Sequence, residues 1–268
     1  MYPIAFTVFG KAIHFYGICI ALGFLCGTGL LLWKKDRAGL TTEQVFDLCM
    51  LALFGGLIGA RLLHVIQNWN SQKGLLWIIR VDQGGLVFYG GFILAVIAVC
   101  VYAKRKNISI PALLDVFAPA IAIGHAFGRL GCFMQGCCHG AKAPAGFPGA
   151  IRFPYMTGGS VDPKLFQADG YSCWLYPTQL WESAGNVILC VILLLIFRKF
   201  RKEGQIAGIY LILYAVMRFI LEFFRGDNPE LLLGLTTSQA IALFLMIPAG
   251  AWLLMLAQDK KEIDHAGC

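Results

Sequence analysis

The chain has 268 residues, 58% of them hydrophobic and only 14% charged, with a mean hydropathy of +0.70. A soluble domain ordinarily carries about 25% charged residues, so this composition excludes a soluble globular enzyme and predicts an integral membrane protein. The formal charge of +7 does not point to nucleic acid, because the basic residues stand in short clusters between apolar runs, where they act as topology signals.

Apolar runs near 13–33, 45–66, 84–103, 112–134, 177–197, 206–225 and 236–257 are each long enough to cross roughly 30 Å of hydrocarbon. They predict an all-α membrane protein with seven transmembrane helices, a single membrane domain over residues 1–268. Nothing basic precedes Lys11, and the first run is too long for the core of a cleavable signal. Basic clusters follow the first run (Lys34, Lys35, Arg37), the third (Lys104, Arg105, Lys106), the fifth (Arg198, Lys199, Arg201, Lys202) and the seventh (Lys260, Lys261). By the positive-inside rule the N-terminus lies outside and the C-terminus inside. The outer face then carries an amphipathic connection from Gln67 to Gln83 with Trp69 and Trp77, and the turn Gly226–Thr236. It also carries the segment Gly140–Leu175, which reads as a small extracytoplasmic cap.

In chain order, the first span opens on His14 and Tyr16, and the second holds Arg61 in GLIGARLLHV with His64 three residues on. The third reads GGLVFYGGFI, paired glycines bracketing Tyr89. Such small residues let helices pack closely; alternatively they thin a cavity wall beside a tyrosine that donates a hydrogen bond or carries a proton. In the fourth run, Asp115 and His125 precede Gly128–Gly140, GRLGCFMQGCCHG. Here Arg129 is an intramembrane charge and therefore a functional-site candidate. His125 sits one helical turn before it, as a general base or as a helix-to-helix hydrogen bond. Cys132, Cys137 and Cys138 with His139 admit soft-metal ligation, a disulfide on an oxidising face, or packed free thiols. Their spacing matches no paired CxxC zinc pattern, and no metal or other cofactor is expected. The sixth run places Tyr214, Arg218, Glu222 and Arg225 at offsets that share one helix face. One acid, Glu222, stands against Arg61, Arg129, Arg218 and Arg225. Either Arg218 and Glu222 neutralise one another, or the arginines hold a phosphate, which guanidinium forks match bidentately. The second reading is favoured, with an anionic lipid headgroup as the ligand.

The signature GRLGCFMQGCCHG resembles that of the prolipoprotein diacylglyceryl transferases, which runs approximately GR-x-GNF-x-NGE-x-x-G. HFYG (His14–Gly17), GARL (Gly59–Leu62), GGLVFYGG, YPTQLWE (Tyr176–Glu182) and the run from Tyr214 through RFILEFFRGDN resemble further motifs of that family, in the family's order. The resemblance implies a seven-span bacterial inner-membrane enzyme whose site faces the outer leaflet. It would move the diacylglyceryl group of phosphatidylglycerol onto the lipobox cysteine of a prolipoprotein, releasing glycerol 1-phosphate. It assigns Arg129 and Arg218 as essential lipid-binding residues with Arg225 in support, and gives Tyr16, Tyr214 and Gly140 functional positions. Arg61, Gln179 and Glu222, within matching motifs, complete the expected substrate-binding set. Tyr89 stands where the family has a histidine, as does Tyr176, and Cys132 and Cys137 replace an asparagine and a glutamate. These departures fall on the acceptor and proton-transfer side of the reaction, leaving Tyr89 or His125 as the base. The rival readings are a relative that uses the same lipid site with another acceptor, and a non-catalytic lipid-binding or thiol-redox membrane protein.

Overall fold

A computed structural model of the chain describes residues 2–69, 85–144, 146–156, 158–200, 202–226, 230–232 and 234–265. Trp77, Gly84 and Arg201 lie outside these residues, as do the side chains of Lys260 and Lys261. Among the described residues, seven helices are long and apolar enough to cross a membrane: Phe15–Ala38, Thr42–Gln67, Phe88–Arg105, Ile110–Gln135, Thr178–Ile196, Gln205–Glu222 and Thr237–Ala257. The protein is a multi-pass membrane protein, and the expected spans fall close to these bounds. The chain forms two compact units, one of residues 1–30 and 114–268, the other of residues 31–113.

The first unit opens with a hairpin that apolar patterning did not foretell. Strands β1 (Ile4–Val8) and β2 (Lys11–His14) pair antiparallel around Phe9 and Gly10, both at positive φ, as a two-residue hairpin turn requires. His14 therefore ends a strand rather than lying in the first span, and helix α1 (Phe15–Lys34) starts at the next residue. Helices α4 (Ile110–Gln135), α5 (Thr178–Ile196) and α6 (Gln205–Glu222) follow. Asp115, fully buried, accepts from the backbone N–H of Gly204 at 3.0 Å and of Ala207 at 2.9 Å. It satisfies orphan donors at the start of α6 from another helix, which explains a carboxylate in an apolar run.

After α6, strands β3 (Glu230–Leu232) and β4 (Leu235–Thr236) pair antiparallel. Helix α7 (Thr237–Ile241) then runs through a π-helical turn, Ala242–Met246, into α8 (Ile247–His265). Thr236 and Gln239 form a capping box at the start of α7. The segment 140–175 carries isolated antiparallel bridges, among them Lys142 and Ile151 with Leu175 and Pro154 with Tyr171. They close over a small core of Phe153, Val161 and Leu175.

In the second unit, α2 (Thr42–Gln67) starts from a capping box of Thr41 and Gln44 and pairs with α3 (Phe88–Arg105). A Cβ added at Gly59 would strike the carbonyl of Gly90 and the Leu94 side chain, and one at Gly90 would strike Gly59 and Leu63. The second glycine pair, Gly90 and Gly91, thus serves close helix packing.

Candidate functional site

Three of the helices of the first unit bring their polar side chains together. On α4, the one-turn offset sets Arg129 Nε 3.3 Å from His125 Nε2, which accepts its N–H. From α5, Glu182 places Oε1 3.1 Å from an Arg129 Nη and 3.5 Å from His125 Nε2. From α6, Arg218 pairs with Glu222 at 2.7 Å, i to i+4, and donates to Ser238 Oγ at 2.9 Å. Thr236 Oγ donates to the other Glu222 oxygen at 2.6 Å. The Tyr214 ring lies 5.3 Å from that of His125. Among the described residues, no hydrogen bond takes the remaining Nη of Arg129.

Two sequence expectations change here. Helix α6 ends at Glu222, so Arg225 does not continue its face; it comes back through a turn whose backbone bridges Gly140, with its Nε 3.9 Å from Glu222. The arginines also have a second acid. Glu182 is 1% exposed, so among the described residues two carboxylates, Glu182 and Glu222, stand beside these arginines rather than one acid against four. In the sequence Glu182 stands out only as the end of YPTQLWE. The available signal was periodicity: Thr178, Gln179, Glu182, Ser183 and Asn186 form a buried polar stripe down an otherwise apolar helix.

The signature stretch is part helix and part loop. Helix α4 runs to Gln135; Gly136, at φ 78°, and Cys138, at φ 55°, then reverse the chain. Gln179 Nε2 donates to the Cys137 carbonyl at 3.0 Å and Thr178 Oγ1 to that of Cys138 at 3.4 Å, so α5 holds the loop. Gly140 is wedged where a Cβ would strike Tyr176 and the Phe224 carbonyl. The sulfurs of Cys132, Cys137 and Cys138 converge within 4.8 Å of one another, and all three thiols are free rather than disulfide-bonded. Hydrogen bonds from Cys132 and Cys137, then the Arg129 and Arg225 guanidiniums, hold the Cys138 thiol below its ordinary range; Cys137, next to two other sulfurs, is pushed up. Tyr16, on α1, packs against α4 just before the loop, where a Cβ at Gly131 would meet its ring at 3.1 Å.

Arg61 and Tyr89 belong to the second unit. Arg61 is buried and donates to the Gly85 carbonyl at 3.2 Å, while Tyr89 is 54% exposed. Gly85, at φ 75°, lies against the His64 ring, and His64 is fixed from the other side by Asn68 at 3.3 Å.

A family profile described as prolipoprotein diacylglyceryl transferase matches residues 3–256. The chain belongs to that family. A phosphatidylglycerol–prolipoprotein diacylglyceryl transferase of Clostridium tetani is 34% identical over 98% of this chain and 100% of its own length. Relatives bearing the same name from Finegoldia magna and Bacillus licheniformis are each 34% identical, covering 97% and 98% of this chain and 96% and 95% of their own. The likeness therefore runs through the first unit, with its arginines and thiols, and through the second, with Arg61 and Tyr89. The family is one of transferases, and this chain is an enzyme of that class.

Proposed function

We propose that the protein transfers the diacylglyceryl group of phosphatidylglycerol to the lipobox cysteine thiol of a prolipoprotein and releases glycerol 1-phosphate. The observation that carries the reading is the pair of carboxylate-anchored arginines, Arg129 and Arg218, on neighbouring helices. A guanidinium held from behind by a buried acid is pre-aimed, and two such forks suit the oxygens of one phosphodiester. The acceptor sulfur attacks the glyceryl carbon, the carbon–oxygen bond to phosphorus breaks, and its electron pair stays on the phosphate. Charge gathering there is what fixed guanidiniums stabilise most.

Arg129, Arg218 and Arg225 act on the phosphate, with Glu222 orienting the last two. His125, whose Nε2 takes the Arg129 Nε–H, fixes that guanidinium's plane and keeps its other nitrogen for proton transfer. Tyr214 packs against His125, while Gly140 and Gln179 set the loop beside the site. Tyr16 adds a lipid contact within the first unit; Arg61 as a substrate-binding residue and Tyr89 as a catalytic one are proposed for the second unit by itself. The enzyme works in the bacterial plasma membrane as one membrane domain, N-terminus outside and C-terminus inside, with its site toward the outer leaflet and residues 140–175 as the cap above it.

The test is transfer from phosphatidylglycerol to a lipobox peptide by the purified protein in detergent, with the thioether product identified by mass. Arg129→Ala and Arg218→Ala should each lower turnover at least about 100-fold, as loss of one fixed donor to a developing oxyanion does, with membrane insertion unchanged. Arg→Lys should recover little, because an ammonium cannot reproduce a bidentate fork. Full turnover in Arg129→Ala would remove the phosphate clamp. A parent that consumes phosphatidylglycerol but modifies no lipobox peptide would point to a different acceptor.

A further inference from the structure

Alkylating a thiol requires its thiolate, and a free cysteine with a pKa of about 8.5 is mostly protonated at neutral pH. The arginine cluster stabilises the leaving phosphate but takes no proton. His125, with its Nε2 tied to Arg129 and facing Glu182, keeps only its other nitrogen for a proton and cannot itself hold the acceptor sulfur as a thiolate. The remaining unusual chemistry in the first unit is the group of three cysteines one turn beyond Arg129.

Cys132 lies on the last turns of α4, three residues after Arg129 and therefore on the same side of the helix. The chain then doubles back, with Gly136 N donating to the Cys132 carbonyl at 2.8 Å and Cys137 N to the same oxygen at 3.1 Å. Cys138 holds φ 55°, a left-handed conformation that cysteine adopts rarely. That strained residue is kept in place by Thr178 and Gln179, which bind the carbonyls of Cys138 and Cys137. The result is three sulfurs within 4.8 Å of one another. Tetrahedral zinc–thiolate bonds of about 2.3 Å need sulfurs about 3.8 Å apart, a small contraction from this arrangement. A structural brace of one disulfide would leave the third sulfur without a role. Three converging thiols instead make a trigonal face of soft ligands, suited to a thiophilic d¹⁰ cation. His139 stands outside this group, since its ring nitrogens do not lie within 4.8 Å of all three sulfurs.

We propose that Cys132, Cys137 and Cys138 bind one Zn²⁺, leaving a fourth position at which the acceptor cysteine thiol coordinates and is activated. This rests on the transfer reaction proposed above. Three thiols bind the metal as thiolates and release three protons to water. The acceptor thiol displaces a water from the open position, gives its proton to solvent, and becomes a metal thiolate. Three protein thiolates on a divalent cation already sum to one negative charge. The fourth therefore stays electron-rich, and Arg129 and Arg225 offset the charge from close by. Attack forms the sulfur–carbon bond and breaks the carbon–oxygen bond to phosphate. The thioether product, neutral and a weaker ligand, leaves the metal to water. Three ligands with an open fourth position is the pattern of catalytic rather than structural zinc.

The experiment is a Co²⁺ titration of the reduced full-length protein in detergent. One equivalent should give sulfur-to-cobalt charge-transfer absorption and tetrahedral visible bands, and Zn²⁺ should displace it. A lipobox peptide should then increase the charge-transfer intensity, while the same peptide with serine for its cysteine should not. Cys132→Ser and Cys137→Ser should each weaken metal binding by more than the about 10–100-fold typical of a lost supporting group, with monodisperse elution confirming that each variant folds. No stoichiometric cobalt binding by the parent overturns the site; a spectrum indifferent to the peptide thiol overturns its acceptor role. Undiminished transfer by metal-stripped protein overturns the zinc step while leaving the transferase reading intact. Metal and thiol binding without any lipid transfer does the reverse.

Discussion

Glu182 is the residue on which the arginine site turns. It is the only carboxylate, among the described residues, within 4 Å of Arg129, and it reaches His125 as well. Its own backbone carbonyl accepts from the Asn186 side chain at 2.8 Å, and Ser183 on the same turn donates to the Ala126 carbonyl at 2.9 Å. Polar groups thus tie α5 to α4 at the level where the charges meet. Removing one partner of a buried ion pair costs about 3–5 kcal/mol, mostly the penalty of the charge left behind. Glu182→Ala should therefore lower the thermal midpoint in detergent by several degrees and abolish transfer. Glu182→Gln, which keeps an oxygen near Arg129, should lose less stability but raise KM for phosphatidylglycerol. Parent-like stability in Glu182→Ala would show that Arg129 is held by something else. Sequence offsets on one helix, such as His125 with Arg129 or Arg218 with Glu222, are legible because the helical period fixes them. Glu182 was not, because its partners come from another helix fifty-odd residues away.

At the scale of elements, the glycine pattern of the third span is explained by α2. Gly59 and Gly90 approach so closely that neither tolerates a methyl group, whereas a Cβ at Gly56 meets nothing within 4 Å. Gly59→Ala should be destabilising by about 1–3 kcal/mol, the usual range for overpacking. Gly56→Ala, on the same helix, should be neutral or stabilising by up to about 1 kcal/mol, since it removes glycine from a helix interior. Unfolding midpoints of the two variants in mixed detergent decide the matter: equal midpoints would mean that the helices adjust at no cost. The cysteine loop is an element of the opposite kind, held by polar contacts to carbonyls rather than by close packing. Repetition of small residues announces a helix contact in sequence. A loop whose shape depends on two side chains of α5 has no comparable period.

For the whole molecule, the proposed orientation makes a direct prediction. In intact cells, a membrane-impermeant thiol reagent should label Ala168→Cys in the cap above the parent level. It should label Lys106→Cys, at the end of α3, only after the membrane is opened. The reverse order would turn the site toward the cytoplasm and discard a lipoprotein acceptor. The proposed orientation rests on where basic residues cluster along the chain, a property of order and charge alone. The number of spans and most of their bounds follow in the same way, because about 20 apolar residues cross a bilayer wherever they occur. Family membership was equally legible, since its motifs keep their order along the chain. Tertiary structure decided what short-range pattern does not encode: the N-terminal hairpin, the end of α6 before Arg225, the second acid of the arginine site, and the convergence of three sulfurs. Each depends on backbone reversal or on groups distant in sequence meeting in space. Periodicity reports which face of a helix is polar, but only packing selects the partner for that face.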